Sequence, residues 1–313
     1  MHDRQIRSTS TAFPPELPEG KKLVLVEAYG LLGGKIWPAA STLCQYLKEK
    51  IDNNNNNNNN NTTNYCCSSA GAVVAGNGID CIELGSGTGA VGIYVAAAFG
   101  YRMTVTEYRP PSSSTTTTTT SSTTEAMGEE VNGSQSDSDD EDDNDNDDKW
   151  STTITESVRS DRLLNLLQQN VDVNRHLFST QKQLPRVCEL DFCDVTTRKD
   201  VVAKSWRGRG YDLILASDVT YTPSLHQPLA DTIAELLLVG TTNTDSCWKQ
   251  PTCILSHQER LLNKWGKDYQ LLQFEEALRI ANLSIVERTL FQVYDDNQQI
   301  QKVSVLEIQR RTS

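Results

Sequence analysis

The sequence predicts an α/β fold: a seven-stranded, mostly parallel sheet that closes with an antiparallel C-terminal β-hairpin. Three observations predict it. Residues 80–92 read DCIELGSGTGAVG, a short apolar strand running into glycines at 85, 87, 89 and 92 and then a helix. Apolar strand-like runs alternate with helical patterns along most of the chain, as in successive βα units. The last two strand-like stretches, Leu283 to Tyr294 and Lys302 to Gln309, are joined by the polar turn DDNQQ with no helix between them, which reads as a hairpin.

The elements follow in order. Leu23 to Val26 is a first strand candidate. A helix begins near Trp37-Pro38 and runs to about Lys50, since Pro at an early helical position uses its fixed φ and missing donor at no cost. The strand Ile79 to Leu84 and a helix from Ala90 to Phe99 flank the glycines, and Tyr101 to Thr106 is the next strand, ending at Glu107. Leu163, Leu164, Leu166 and Leu167 mark a helix from about Ser160 to Val173. Val187 to Leu190 is a short strand. YDLILA (Tyr211 to Ala216) is an apolar run suited to a strand covered on both faces. A helix over His226 to Leu238, a strand over Thr252 to Ser256 and a helix over Asp268 to Ala281 complete five βα units before the hairpin.

Two segments lack the apolar content to bury a core: 52–77, with an Asn run from Asn53 to Asn61, and 109–149, a Ser/Thr tract followed by DSDDEDDNDNDD. Both are expected to be disordered inserts in one domain spanning 1–313. Between Arg109 and Lys149, 12 acids face 2 bases, so −10 of the net charge of −12 is local to one insert. No basic face speaks for nucleic acid. The eight cysteines (44, 66, 67, 81, 188, 193, 247, 253) form no CxxC pair, and no histidine lies at ligand spacing, so reduced thiols and no metal are expected. The polar start MHDRQIRSTS is not a secretory signal, and no apolar run reaches the ~18 residues of a membrane span. The expectation is a cytoplasmic protein, also admissible in the nucleus, with no membrane contact. Its oligomeric state is not legible, and a monomer is the default.

In an open parallel sheet the ligand lies at the carboxyl ends of the strands, near the switch point. Four such ends converge here: Gly85-Ser86-Gly87 through Gly89, Glu107, Phe192, and Ser217-Asp218. Glycines let backbone approach a ligand closely, and the helix after them directs a positive dipole end at it. Glu83, an acid inside a strand, needs a partner if buried. Gly87-x-Gly89-x-x-Gly92 also satisfies the dinucleotide fingerprint, with Glu107 about 20 residues on for a ribose. No second βαβ half follows, which weighs against a dehydrogenase. A carboxylate at 107 suits ribose hydroxyls or a plain loop position; an aromatic at 192 suits an adenine face or the core. The histidines, at 2, 176, 226 and 257, fall outside these motifs, and His257 reads as a structural residue.

Three strings resemble the seven-β-strand protein-lysine methyltransferases, closest to the methyltransferase-like group acting on chaperones, AAA ATPases and elongation factor 1A. They are GGKIWPAASTLCQYL (Gly33 to Leu47), IELGSGTGAVGI (Ile82 to Ile93) and YDLILASDVTY (Tyr211 to Tyr221). LLNLLQQNVDVN (Leu163 to Asn174) and HQER around Arg260 add weaker support. The resemblance implies a Rossmann-like class I methyltransferase using S-adenosylmethionine. It makes Trp37, Gly85, Ser86, Gly87, Glu107, Phe192 and Ser217 cofactor contacts, with Glu83 serving the methionine ammonium. A protein substrate (chaperone, AAA ATPase or translation factor) is implied. Phe192 stands where Trp is usual and Glu107 where Asp is commoner.

Methyl transfer from a sulfonium requires an aimed lone pair. A carboxylate at Asp218 can attract a lysine ammonium and orient its nitrogen, and Tyr221 can add a hydroxyl or an aromatic wall. Enzymes of amide nitrogens resemble one another in Asn-Pro-Pro-aromatic at this place, so the charged Asp218-Val-Thr-Tyr221 favours an amine. The remaining readings are a protein-histidine or small-molecule methyltransferase, a scaffold that has lost catalysis, and an Asp218 that only caps its turn.

Overall fold

The computed structural model describes residues 6–8, 16–17, 20–28, 31–58, 78–108, 156–178, 183–238, 248, 250–262, 266–294 and 299–311. Among these residues eight strands form one sheet: β1 (Ile6–Ser8), β2 (Asp80–Leu84), β3 (Arg102–Glu107), β4 (Arg186–Glu189), β5 (Leu213–Ser217), β6 (Thr252–Glu259), β7 (Leu283–Tyr294) and β8 (Ile300–Arg310). Their order is β1-β7-β8-β6-β5-β2-β3-β4. All neighbours are parallel except at β8, which runs antiparallel to both β6 and β7. Seven of the eight strand candidates are present, and β1 adds a parallel edge strand beside β7.

Among the described residues six α-helices cover the sheet: α1 (Pro38–Asn58), α2 (Ala90–Phe99), α3 (Glu156–Val173), α4 (Val195–Lys204), α5 (His226–Leu236) and α6 (Tyr269–Ile280). The pleat explains why β5 is apolar at every position. Leu213 and Leu215 point into one core with α1, α2 and α3, while Ile214 and Ala216 point into the other with α4, α5 and α6. On α1, Leu43, Leu47 and Ile51 are fully buried at a four-residue spacing, which seats one face of the helix on the sheet. Asp194 and Asp268 start α4 and α6 by accepting the N–H groups of Thr196 and Leu271.

Three expectations are corrected. Leu23 to Val26 is not a strand. Val24 and Val26 donate their N–H groups to Asn174 Oδ1 (2.9 Å) and Asn170 Oδ1 (2.8 Å), and their carbonyls accept from the same two amides at 2.5 and 3.0 Å. One side chain of α3, Asn170, and one just past its end, Asn174, thus replace a neighbouring strand. Helix α1 runs on to Asn58, into the segment set aside at 52–77, and α4 was not anticipated from its polar sequence. The rest of that insert, 59–77, lies outside the described residues, as does 109–149.

The topology fixes the crevice. The chain steps outward from β2 through β3 to β4, then returns to the other side of β2 as β5. The loops after β2 and β5 diverge at this switch point, opening the crevice there.

Candidate active site

The loop after β2 is made by its glycines. Gly85 and Gly87 have φ of +60° and +53°, a region other residues occupy at a cost. A Cβ on Gly85 would stand 2.9 Å from Val219 of the post-β5 loop, and one on Gly87 would stand 2.4 Å from the Gly33 carbonyl oxygen. The glycine loop therefore touches both the post-β5 turn and the segment leading to Trp37. Two strings far apart in sequence meet because no side chain separates them.

Ser86 stitches this loop to β3. Its N–H donates to the Thr106 carbonyl (2.7 Å), and its hydroxyl accepts from Thr106 N–H (3.0 Å) and donates to the Glu83 carbonyl (3.3 Å). Glu107 Oε2 accepts the Gly87 N–H at 2.7 Å, and its Oε1 accepts the Tyr108 N–H at 3.0 Å. Burial raises its pKa, while those two N–H groups work the other way. Each carboxylate oxygen accepts at two positions, so both retain a place for a ribose hydroxyl.

Glu83 is tied to the helix that follows the loop. It is 2% exposed, and its Oε2 accepts the Gly92 N–H at 3.0 Å, in the first turn of α2. The N-cap of that helix, Gly89, has no side chain to offer, so the strand acid satisfies an amide that a cap would otherwise take. Burial pushes the Glu83 pKa up to about 8, and the Glu107 charge adds to it.

The post-β5 turn divides its work by residue. Ser217, half-buried, sits in register with Ser256 of β6, whose carbonyl accepts the Asp218 N–H at 2.8 Å. Asp218 adopts φ +57°, strained for a residue with a Cβ, and such strain persists only where the surroundings impose it. The surroundings are Arg260: its Nη1 donates to Asp218 Oδ1 at 2.8 Å, and its Nη2 donates to Oδ2. Asp218 is 7% exposed and accepts in a bidentate fork. Val219 packs on Gly85. Thr220 Oγ1 lies 2.6 Å from His257 Nδ1, and His257 Nε2 lies 3.3 Å from Asp268 Oδ1, all buried. Tyr221 is 46% exposed, and burial together with the charges of Glu107 and Asp218 raises its phenol pKa.

Trp37, half-buried before α1, carries the Arg260 guanidinium 5.8 Å from its ring centroid, with Lys35 Nζ at the same distance. One group thus joins the Gly85–Gly87 loop, Glu107, Trp37, Ser217, Asp218 and Tyr221. Phe192 packs partly buried against the core of α4, α5 and α6, the core alternative left open for it. Arg260 is the residue that sequence reasoning missed. HQER was visible, but its partner lies 42 positions away, and no local pattern pairs them. Asn170 was missed too: besides holding Val26 it donates to the Thr88 carbonyl at 2.9 Å, bracing the glycine loop from α3. Among the described residues no group of His, Cys, Asp or Glu could hold a metal ion, and no helix is long and apolar enough to cross a membrane.

The chain is similar to several solved structures at low identity. Aeropyrum pernix fibrillarin, in complex with S-adenosyl-L-methionine, is 12% identical over 74% of this chain and 67% of that one, with a TM-score of 0.39. M. jannaschii TYW2, in complex with AdoMet, is 10% identical over 93% and 89%, with a TM-score of 0.39. The arsenic(III) S-adenosylmethionine methyltransferase of Chlamydomonas reinhardtii is 12% identical over 89% and 75%, with a TM-score of 0.38. No curated protein matches the chain. The lysine methyltransferase family matches residues 20–140 and 145–260, more than half of the sequence and every segment of the crevice described above. The chain belongs to the lysine methyltransferase family.

Proposed function

We propose that the protein is an S-adenosylmethionine-dependent protein-lysine N-methyltransferase. The observation that carries this reading is the turn Asp218-Val-Thr-Tyr221, which sets a carboxylate and a phenol across the switch point from the glycine loop. The cofactor supplies a methyl group on a sulfonium, an electrophile that asks the protein for alignment more than for acid–base chemistry. The backbone of Gly85 and Gly87 lets it approach closely, Glu107 accepts from its ribose hydroxyls, and Trp37 and Ser217 line the crevice. Ser86 and Glu83 hold the loop in shape through their own hydrogen bonds.

One part of the sequence-based mechanism changes. Asp218 is not a free carboxylate awaiting an ammonium, because Arg260 already matches its charge. Oδ1 already accepts from Arg260 and from the Gln258 N–H at 3.4 Å, so the remaining position on Oδ2 accepts an N–H of the acceptor amine and turns the nitrogen lone pair toward the crevice. Tyr221, the exposed aromatic of the turn, flanks the aliphatic stem and its growing positive charge. The substrate class suggested by the resemblance is a chaperone, an AAA ATPase or a translation factor. The cysteines among the described residues are free thiols, which supports action in the cytoplasm, with the nucleus also admissible.

The test is incubation of the purified full-length protein with labelled S-adenosylmethionine and cell lysate, followed by mass-spectrometric mapping of the label. Methyl groups on lysine Nε are expected. Label confined to histidine or to small molecules overturns the lysine assignment. In Asp218→Asn, transfer is expected to fall about 100-fold while calorimetric affinity for S-adenosylhomocysteine stays within a few-fold. Unchanged turnover would remove Asp218 from the mechanism. If the wild type binds neither form of the cofactor, the chain is a scaffold.

A further inference from the structure

The pairing of Asp218 with Arg260 poses a chemical problem for an amine methyltransferase. A lysine side chain ordinarily titrates near pH ~10.4, so at neutral pH nearly all of it is ammonium, which has no lone pair. A bare buried carboxylate would hold the acceptor in that unreactive form. Asp218 is not bare. Arg260 donates to both of its oxygens, and the same guanidinium is fixed by the Gln258 side-chain oxygen at 3.2 Å, with its carbonyl at 3.4 Å. The Arg260 backbone N–H is anchored on Asp268 Oδ2 at 2.7 Å. Its other contact is the Trp37 ring, so the cation lies between the acceptor carboxylate and a wall of the cofactor crevice.

We infer that Arg260 is a positioning residue that offsets the charge of Asp218, so that the acceptor site offers no net negative charge to an ammonium and selects the neutral amine. A like charge disfavours the protonated form of a neighbouring base. Oδ1 also accepts the Gln258 N–H at 3.4 Å, and Oδ2 keeps one position to accept from N–H and so to orient the amine. The other charged groups around the pair do not reverse this. Asp268 faces Arg260 but spends its oxygens on the N–H groups of Arg260, Leu261 and Leu271 and on His257. Glu107 is tied to Gly87 and Tyr108, and Lys35 adds a second cation on Trp37. Tyr221 remains a neutral phenol in this environment.

The inference rests on the proposed function, and sinefungin tests it without knowledge of the substrate. This cofactor analogue carries a primary amine where the sulfonium methyl group stands. Calorimetry gives its affinity relative to S-adenosylhomocysteine for the full-length wild type, Arg260→Gln and Arg260→Lys. At pH 7, Arg260→Gln is expected to shift the ratio toward sinefungin by about threefold or more, while Arg260→Lys, which keeps the charge, stays near the wild type. In the wild type alone the ratio is expected to rise from pH 7 to 9.5 as the amine loses its proton, a result that needs no variant to fold. An unchanged ratio in Arg260→Gln, or a wild-type ratio that falls with pH, overturns the inference while leaving the methyltransferase reading intact. Failure of the wild type to bind S-adenosylhomocysteine removes both.

Discussion

Gly87→Ala probes the point where the glycine loop, the segment before Trp37 and Glu107 meet. Gly87 has φ +53°, and a Cβ there costs about 1–2 kcal/mol in the left-handed region. The same Cβ would stand 2.4 Å from the Gly33 carbonyl oxygen, and backbone on both sides cannot yield as a flexible side chain would. Overpacking of this kind adds about 1–3 kcal/mol, so a total near 3 kcal/mol is expected. For a domain of this size that corresponds to a melting point lower by roughly 6–12 °C. The shift also misplaces the Gly87 N–H that Glu107 accepts at 2.7 Å, so calorimetric affinity for S-adenosylhomocysteine is expected to fall about tenfold or more. Gly208→Ala is the control: its φ is +64° but nothing lies within 4 Å of the added Cβ. It is expected to lose about 1 kcal/mol and no affinity. If Gly87→Ala costs no more stability than Gly208→Ala, or binds the cofactor product normally, the close approach is not what the loop requires.

Two further outcomes follow from buried polar groups. Asn170→Ala removes hydrogen bonds to Val26 N–H, Val26 carbonyl and Thr88 carbonyl; urea unfolding is expected to show a loss of about 2–4 kcal/mol, with weaker S-adenosylhomocysteine binding because the Thr88 brace is gone. Glu83 titrates near 4.5 when unfolded and at about 8 when folded, so between those values the folded state binds more protons. Stability then falls as pH rises through that window, by up to about 1.4 kcal/mol per unit. Glu83→Gln keeps an oxygen for the Gly92 N–H and is expected to flatten this slope in unfolding measured from pH 5 to 8; parallel slopes in the two proteins would show that Glu83 is ionised in the fold.

The sheet was legible because both of its sides are apolar. β5 reads LILAS and β6 begins TCIL, and neither run leaves room for a solvent face, so a covered parallel sheet is the consistent solution. The hairpin was legible from two long alternating stretches with only a polar turn between them. Elements that rely on distant partners were not. Leu23 to Val26 has strand composition, yet its ladder partners are the amides of Asn170 and Asn174. Helix α4 is mostly polar and buries chiefly Val201 and Arg198, too little apolar surface to produce a periodic signal.

By itself the sequence determined the βα alternation and the closing hairpin, the glycine loop, the acid at 107 and the charged turn at 218–221, because each is a local pattern with a local physical cause. Only the tertiary structure decided what those groups do to one another. It set Glu83 on an amide of α2, pressed Gly87 against Gly33, moved Phe192 toward the core, and paired Asp218 with Arg260. Charge pairing depends on distance in space, and these partners are brought together by the crossing of β2, β5 and β6, which no sequence spacing records.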